Sequence, residues 1–219
     1  MKDTLTTLLA MACLLLGAAG PANAAPVTIY IEGVVDDVID YDNYLEGQIS
    51  IGDPITGYYR FDSDTPDQDW LWGSPSLIVG RYHHFSPPSG IYLTIGDLIF
   101  QSTHDNVNFL ISIVNNNSEG ADIYAVSSYN NDPLDNATAV DFIAWQLTDS
   151  TGSVFSNDHL LSVAPILDQW TENILRINGT NDAFFMIQGH VTSAVPEPGT
   201  LLLIGLGAMG LIVGKTPKN

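Results

Sequence analysis

The chain has 219 residues, with 25 acidic against 6 basic side chains and a formal net charge of −19. That balance excludes a nucleic-acid binder, which needs clustered Lys and Arg to neutralise phosphates, and the 45% apolar content excludes a fully disordered polymer. One cysteine excludes an intrachain disulfide and a CxxC metal site.

Residues 1–24 read as a secretory signal peptide. Lys2 gives a weak positive start and an apolar stretch runs from Leu8 to Ala19. Gly20 and Pro21 break the helix, and Ala22, Asn23 and Ala24 fit the small-x-small cleavage rule, placing the cut after Ala24. Cys13 lies inside the apolar stretch, and Leu14, Leu15 and Leu16 continue the run past it. In a lipoprotein the apolar core ends before the acylated cysteine, so Cys13 leaves with the signal. The mature domain is then thiol-free and suited to an oxidising compartment.

Residues 25–194 hold every acidic residue except Asp3 and Glu197, against Arg60, Arg81 and Arg176. Period-2 alternation dominates. Val27, Ile29 and Ile31 alternate with Thr28, Tyr30 and Glu32, and Leu45, Gly47, Ile49 and Ile51 alternate with Glu46, Gln48 and Ser50. Strands follow over 57–61 and 77–85. Ile91, Leu93 and Ile95 then flank Tyr92 and Thr94, and Val107, Phe109, Ile111 and Ile113 form one face of the next strand. The last four predicted strands cover 123–129, 140–147, 173–178 and 183–192, while 161–170 has room for one helical turn. Turn chemistry separates them, as at Gly52-Asp53-Pro54, Gly96-Asp97 and Asn115-Asn116-Asn117. Short strands without an amphipathic helix predict an all-β fold, an antiparallel β-sandwich, with a jelly roll as one way of connecting it.

The chemistry in this domain is sparse. Asp62, Asp64, Asp67 and Asp69 put four carboxylates in eight residues, with Thr65 and Pro66 to turn the loop. They could supply oxygen ligands for Ca2+, the one cofactor the residues suggest. A solvated loop explains them with nothing asked of a metal and is the favoured reading, because turns collect Asp for backbone reasons. Asp36, Asp37, Asp40 and Asp42 carry the same ambiguity. Trp70 and Trp72, two apart, would share one face of a strand and make a ligand-binding platform for a sugar ring, extended by Tyr58, Tyr59 and Tyr82; core packing is the alternative. His83 and His84 point to opposite faces of a strand and cannot share an ion. No GxSxG motif and no mature thiol exist, so no catalytic residue is assigned. With so many carboxylates, a pair at glycosidase spacing discriminates nothing.

Residues 195–219 form a separate segment. Pro196 and Pro198 around Glu197 hold the chain extended. The apolar run from Leu201 to Gly214 spans about 21 Å as a helix, short of the ~30 Å hydrocarbon core. Lys215 and Lys218 lie where the positive-inside rule wants cytoplasmic charge. The GxGxxG at Gly205, Gly207 and Gly210 follows no predicted strand of a βαβ unit, so it does not read as a dinucleotide site.

Pro196, Glu197 and Pro198, then the small Gly199 and Thr200, then the Leu- and Gly-rich stretch closely resemble the PEP-CTERM sorting signal of Gram-negative bacteria. Two lysines stand where that family usually carries an Arg-rich cluster. The resemblance implies an exosortase-type processing protease as partner. It also implies membrane attachment through the C-terminal helix before processing, delivery to the cell envelope, surface or medium, and association with exopolysaccharide and biofilm. The expected function is that of an exported, non-enzymatic surface or matrix protein. The alternatives are a lectin-like module using Trp70 and Trp72 with Ca2+, and a glycan-active hydrolase.

Overall fold

The computed structural model describes residues 26–68 and 78–197. Within them the alternating stripes form ten strands: β1 Val27–Ile39, β2 Pro54–Phe61, β3 Val79–His84, β4 Gly90–Ile95, β5 Leu98–Gln101, β6 Phe109–Val114, β7 Asp122–Ser128, β8 Val140–Asp149, β9 Glu172–Gly179 and β10 Met186–Pro196. All pair antiparallel in one sheet of order β3-β6-β7-β8-β9-β10-β1-β2-β4-β5. Six of the nine successive strand pairs are sheet neighbours; β2–β3, β3–β4 and β5–β6 are not. The sheet is therefore two meanders, β1-β2-β4-β5 and β6 to β10, joined where β10 pairs with β1, with β3 moved to the far edge beside β6, and not the paired Greek keys of a jelly roll.

The sheet curls until its two halves face each other as the layers of a sandwich. Residues distant in the strand order meet inside: the Tyr59 hydroxyl of β2 lies 3.0 Å from that of Tyr124 on β7. The Tyr59 ring also lies 6.0 Å from the Trp145 ring on β8, and Phe61 on β2 lies 6.3 Å from His84 on β3. The inward stripes fill the space between, with Ile29 and Ile31 on β1, Leu93 on β4, Ile111 on β6, Leu147 on β8 and Ile177 on β9 all buried. Burying each such side chain contributes about 1.5–3 kcal/mol. Inside, Asn173 knits three strands: its Oδ1 accepts from Trp145 Nε1 and Val191 N, and its Nδ2 donates to the Val191 carbonyl.

Each sheet edge carries contacts from another segment, which occupy part of it against strand-to-strand association. At the β3 edge the Gln68 N–H donates to the Arg81 carbonyl, and the Arg81 N–H donates to Asp67 Oδ1. Beyond β5, Asp132 N–H donates to the Gln101 carbonyl and Thr103 N–H to the Asn130 carbonyl, tying that edge to the β7–β8 connection.

Two expectations change. The stripe from Leu45 to Ile51 is not a strand. Glu46, Gly47 and Gly52 have φ of 54°, 68° and 93°, and the Asp40 carboxylate accepts the Tyr44 and Leu45 N–H groups to hold a string of turns. Leu45 and Ile49 still plug the core, whereas Ile51 is 69% exposed. Strand β5 was missing from the pattern, because Leu98–Gln101 is four residues long, too short to show a period. The helical turn expected in 161–170 is a 3-10 turn at Leu167–Gln169.

Candidate binding face and sorting segment

The acidic loop connects β2 to β3. Asp62, Asp64 and Asp67 are exposed there, while Asp69, Trp70 and Trp72 lie outside the described residues. Asp62 Oδ1 accepts the Asp64 N–H, and its carbonyl accepts the Thr65 N–H, making a local turn. Asp67 holds the loop to β3 through Arg81 N. Thr65 Oγ1 lies 3.2 Å from Nδ1 of His84, whose ring is buried against Phe109. Burial pushes the His84 imidazole down to about 4; the Asp62 carboxylate pulls the other way and His83 adds to the fall. Among the described residues no three His, Cys, Asp or Glu side chains gather around a metal-sized point. In the other acidic patch Asp36 meets His190 at 2.8 Å, and Asp37 accepts the Val38 N–H.

The aromatic face differs from the one expected. Tyr59 and Tyr82 point inward and are 0% and 5% exposed, because alternation sends Tyr59 to the opposite face from Tyr58. Burial raises the hydroxyl pKa of Tyr59, and of Tyr124 with it; Tyr82, donating to the Asp158 carbonyl, is pushed up to about 12 by burial.

Tyr58 instead joins Tyr30 and Tyr92 in an outer row. Register places Tyr30 opposite Tyr58, Tyr58 opposite Tyr92, and Tyr92 opposite Gln101, one residue from each of β1, β2, β4 and β5. The Tyr30 and Tyr58 rings meet edge-on at 5.9 Å, and Tyr58 and Tyr92 stack at 5.5 Å with a 14° interplanar angle. Arg60 lies 5.4 Å over the Tyr58 ring while its Nε donates to Thr28 Oγ1. At the β5 end, Gln101 Nε2 donates to Asp132 Oδ2 at 2.7 Å. The row ends in an open cleft of about 170 Å3, lined by Tyr58 and Tyr92, by Pro87 and Pro88, and by Gln101 and Asp132. Sequence alternation marks each tyrosine as outward-facing. Their juxtaposition depends on cross-strand register, which no single strand reveals.

The sorting segment begins within the sheet. Pro196 is the last residue of β10 and sits opposite Ile29, and the Glu197 N–H donates to the Thr28 carbonyl at 2.8 Å. The start of β1 and the Pro196-Glu197 pair therefore leave the sheet side by side. Pro196 also borders an open apolar groove with Val163, Ile166 and Ala194, in which Val163 and Ile166 are more than half exposed. Ala22, Ala24, Pro198 and the expected membrane helix fall outside the described residues. Among those described, no helix is long and apolar enough to cross a membrane.

No curated protein and no solved structure matches the chain. The family described as the PEP-CTERM protein-sorting motif matches residues 194–215, spanning the end of β10, the Pro-Glu-Pro triplet and the apolar run through Lys215. Such a motif marks an exported protein targeted to exosortase, a membrane protease-like sorting enzyme, for delivery to the cell envelope or surface. The chain carries a PEP-CTERM protein-sorting motif at residues 194–215, and its Pro196 and Glu197 stand at the end of a curled antiparallel sheet.

Proposed function

We propose that this is a non-catalytic protein of the cell surface or extracellular matrix that associates with exopolysaccharide after its tail has been processed. The PEP-CTERM match over residues 194–215 carries the reading. The fold supports it in two ways. An acidic, thiol-free domain whose sheet edges are each partly occupied by another segment is suited to staying dispersed outside the cell. The outer face offers ring stacking and polar side chains instead of a deep enclosed pocket.

Glu197→Ala tests the sorting step. The Glu197 contact to the sheet is through its backbone N–H, which alanine retains, so the domain folds as before. The variant accumulates as a precursor with its tail intact, read by intact mass of protein from membrane and medium. Equal mass and equal distribution for wild type and variant would falsify processing at this motif. A flat screen of turnover on neutral and acidic polysaccharides is the expected result for a non-catalytic protein.

A further inference from the structure

We infer that the cleft at the β4–β5 end of the tyrosine row is a binding subsite for an uncharged hexose unit of a polysaccharide. The inference deepens the exopolysaccharide reading above and rests on it for its biological setting.

Four features of the cleft converge on that ligand class. Tyr58 and Tyr92, with Pro87 and Pro88, give it apolar lining, against which the C–H groups of a pyranose can pack. Those rings are held in place by stacking on each other and by the Arg60 guanidinium over Tyr58. The polar lining is also preset. Gln101 and Asp132 hold each other through a 2.7 Å hydrogen bond, so an amide and a carboxylate stand ready to share donors and acceptors with sugar hydroxyls.

Charge then selects among sugars. Among the described residues no Lys or Arg lines the cleft and Asp132 contributes a carboxylate, on a chain of net charge −19. An anionic uronate or sulfated sugar would meet repulsion from Asp132, while Arg60 is engaged with the Tyr58 ring and Thr28 and the lining His104 stands beside Asp105. Finally, the cleft is open at the surface and continues into Tyr58 and Tyr30 across neighbouring strands about 4.8 Å apart. Such a layout lets a polymer run on past the subsite, where a closed pocket would hold a single small molecule.

Among the described residues the cleft shares none with the acidic loop, so binding does not require calcium at that loop. That separates it from a lectin site built on Asp62, Asp64, Asp67 and Asp69 with Trp70 and Trp72.

The test is titration of the purified, full protein as isolated from cells. The probes are neutral hexasaccharides of glucose, galactose and mannose, with a polygalacturonate fragment as the anionic counterpart, all in EDTA and followed by calorimetry. At least one neutral hexasaccharide saturates the protein, and the anionic fragment binds more weakly. Tyr92→Ala and Asp132→Asn each weaken the neutral ligand by about tenfold or more, while Arg176→Ala, on the outer face of β9, leaves affinity unchanged. Because Tyr92 packs on Tyr58, melting curves accompany every variant. If Tyr92→Ala melts early, Asp132→Asn and Gln101→Ala decide, since both leave the rings in place. The inference is overturned if no neutral hexasaccharide saturates by about 10 mM, if the anionic fragment binds better, or if affinity survives both Asp132→Asn and Gln101→Ala. Any of those results leaves the tail-processing experiment untouched, so this failure and failure of the sorting reading are told apart.

Discussion

Asp122 and Asp149 stand opposite each other on β7 and β8 with exposures of 0% and 2%. Asp62, Asp64 and Asp67 crowd the surface between β2 and β3. The dense set draws attention in the sequence, yet the isolated pair does more to hold the fold. Asp122 takes the Asn116 N–H on Oδ1 and the Phe155 N–H on Oδ2, binding two separate loops to one strand end. Asp149 takes the Thr151 and Ser153 N–H groups and both of their hydroxyls. Two like charges tolerate this closeness because each is surrounded by donors. A buried carboxylate here is a fastener for backbone that would otherwise have unpaired N–H groups.

The sharpest way to break the comparison is to remove one member from each set. Asp122→Ala orphans two N–H groups, one of them in a half-buried loop. By the usual cost of losing charge-assisted hydrogen bonds it destabilises the domain by about 3 kcal/mol. Asp64→Ala, at an exposed position whose own N–H is held by Asp62, changes stability by no more than about 0.5 kcal/mol. Urea denaturation midpoints report both. Equal effects would mean that the buried and exposed carboxylates contribute alike, against the account given for them.

Acid separates the same regions by a second route. The His84 folded pKa of about 4 lies below the ordinary histidine value of 6.5. Between those values the unfolded chain binds the proton and the folded chain does not, so stability falls as pH drops from 6.5 to 4 and then levels. The loss is up to about 3 kcal/mol. Asp149 acts lower. The Ser153 and Thr151 backbone N–H groups, then the Thr151 hydroxyl, hold its carboxyl at about 2 against an ordinary 3.8. Its contribution is complete above 3.8 and is lost as pH falls through 2. Denaturation midpoints at pH 7, 5 and 3 for the wild type and His84→Gln locate the first window. A wild type as stable at pH 5 as at pH 7, or a His84→Gln variant with the same acid slope, would count against His84 as its source.

How far these roles were legible depends on the distance over which they are encoded. Alternation is local, and it correctly placed Ile29 and Ile31, Ile91 and Leu93, and Phe109 and Ile111 facing inward. It misled at Leu45 and Ile49, where turns with positive φ bring two apolar side chains inward without a strand. The sorting segment was legible because Pro196, Glu197, Pro198 and the apolar run are contiguous. The tyrosine row was not. Tyr30, Tyr58 and Tyr92 are 28 and 34 residues apart and meet only because β4 returns beside β2 after the chain has visited β3 on the far edge. Asp122 and Asp149 were hidden for the same reason, since nothing in their neighbourhoods announces that β7 and β8 bring them opposite each other.

Calcium gives the smallest expected effect and bears on the exposed set alone. Asp62 accepts the Asp64 N–H and Asp67 accepts the Arg81 N–H, so a cation would have to share these carboxylates with the loop's own turn and edge contacts. An ion held by such oxygens would stiffen the cover over the β3 edge. By mass action, a site half-filled at about 1 mM calcium adds only about 0.4 kcal/mol, a melting shift of a few degrees at most. A calcium-binding loop therefore predicts a small rise over EDTA that disappears when Asp64→Asn and Asp69→Asn are combined. Superimposable melting curves with calcium and with EDTA would leave Asp62 and Asp67 as turn and edge contacts with no ion involved, and the contrast with Asp122 and Asp149 would then lie in what each carboxylate fastens.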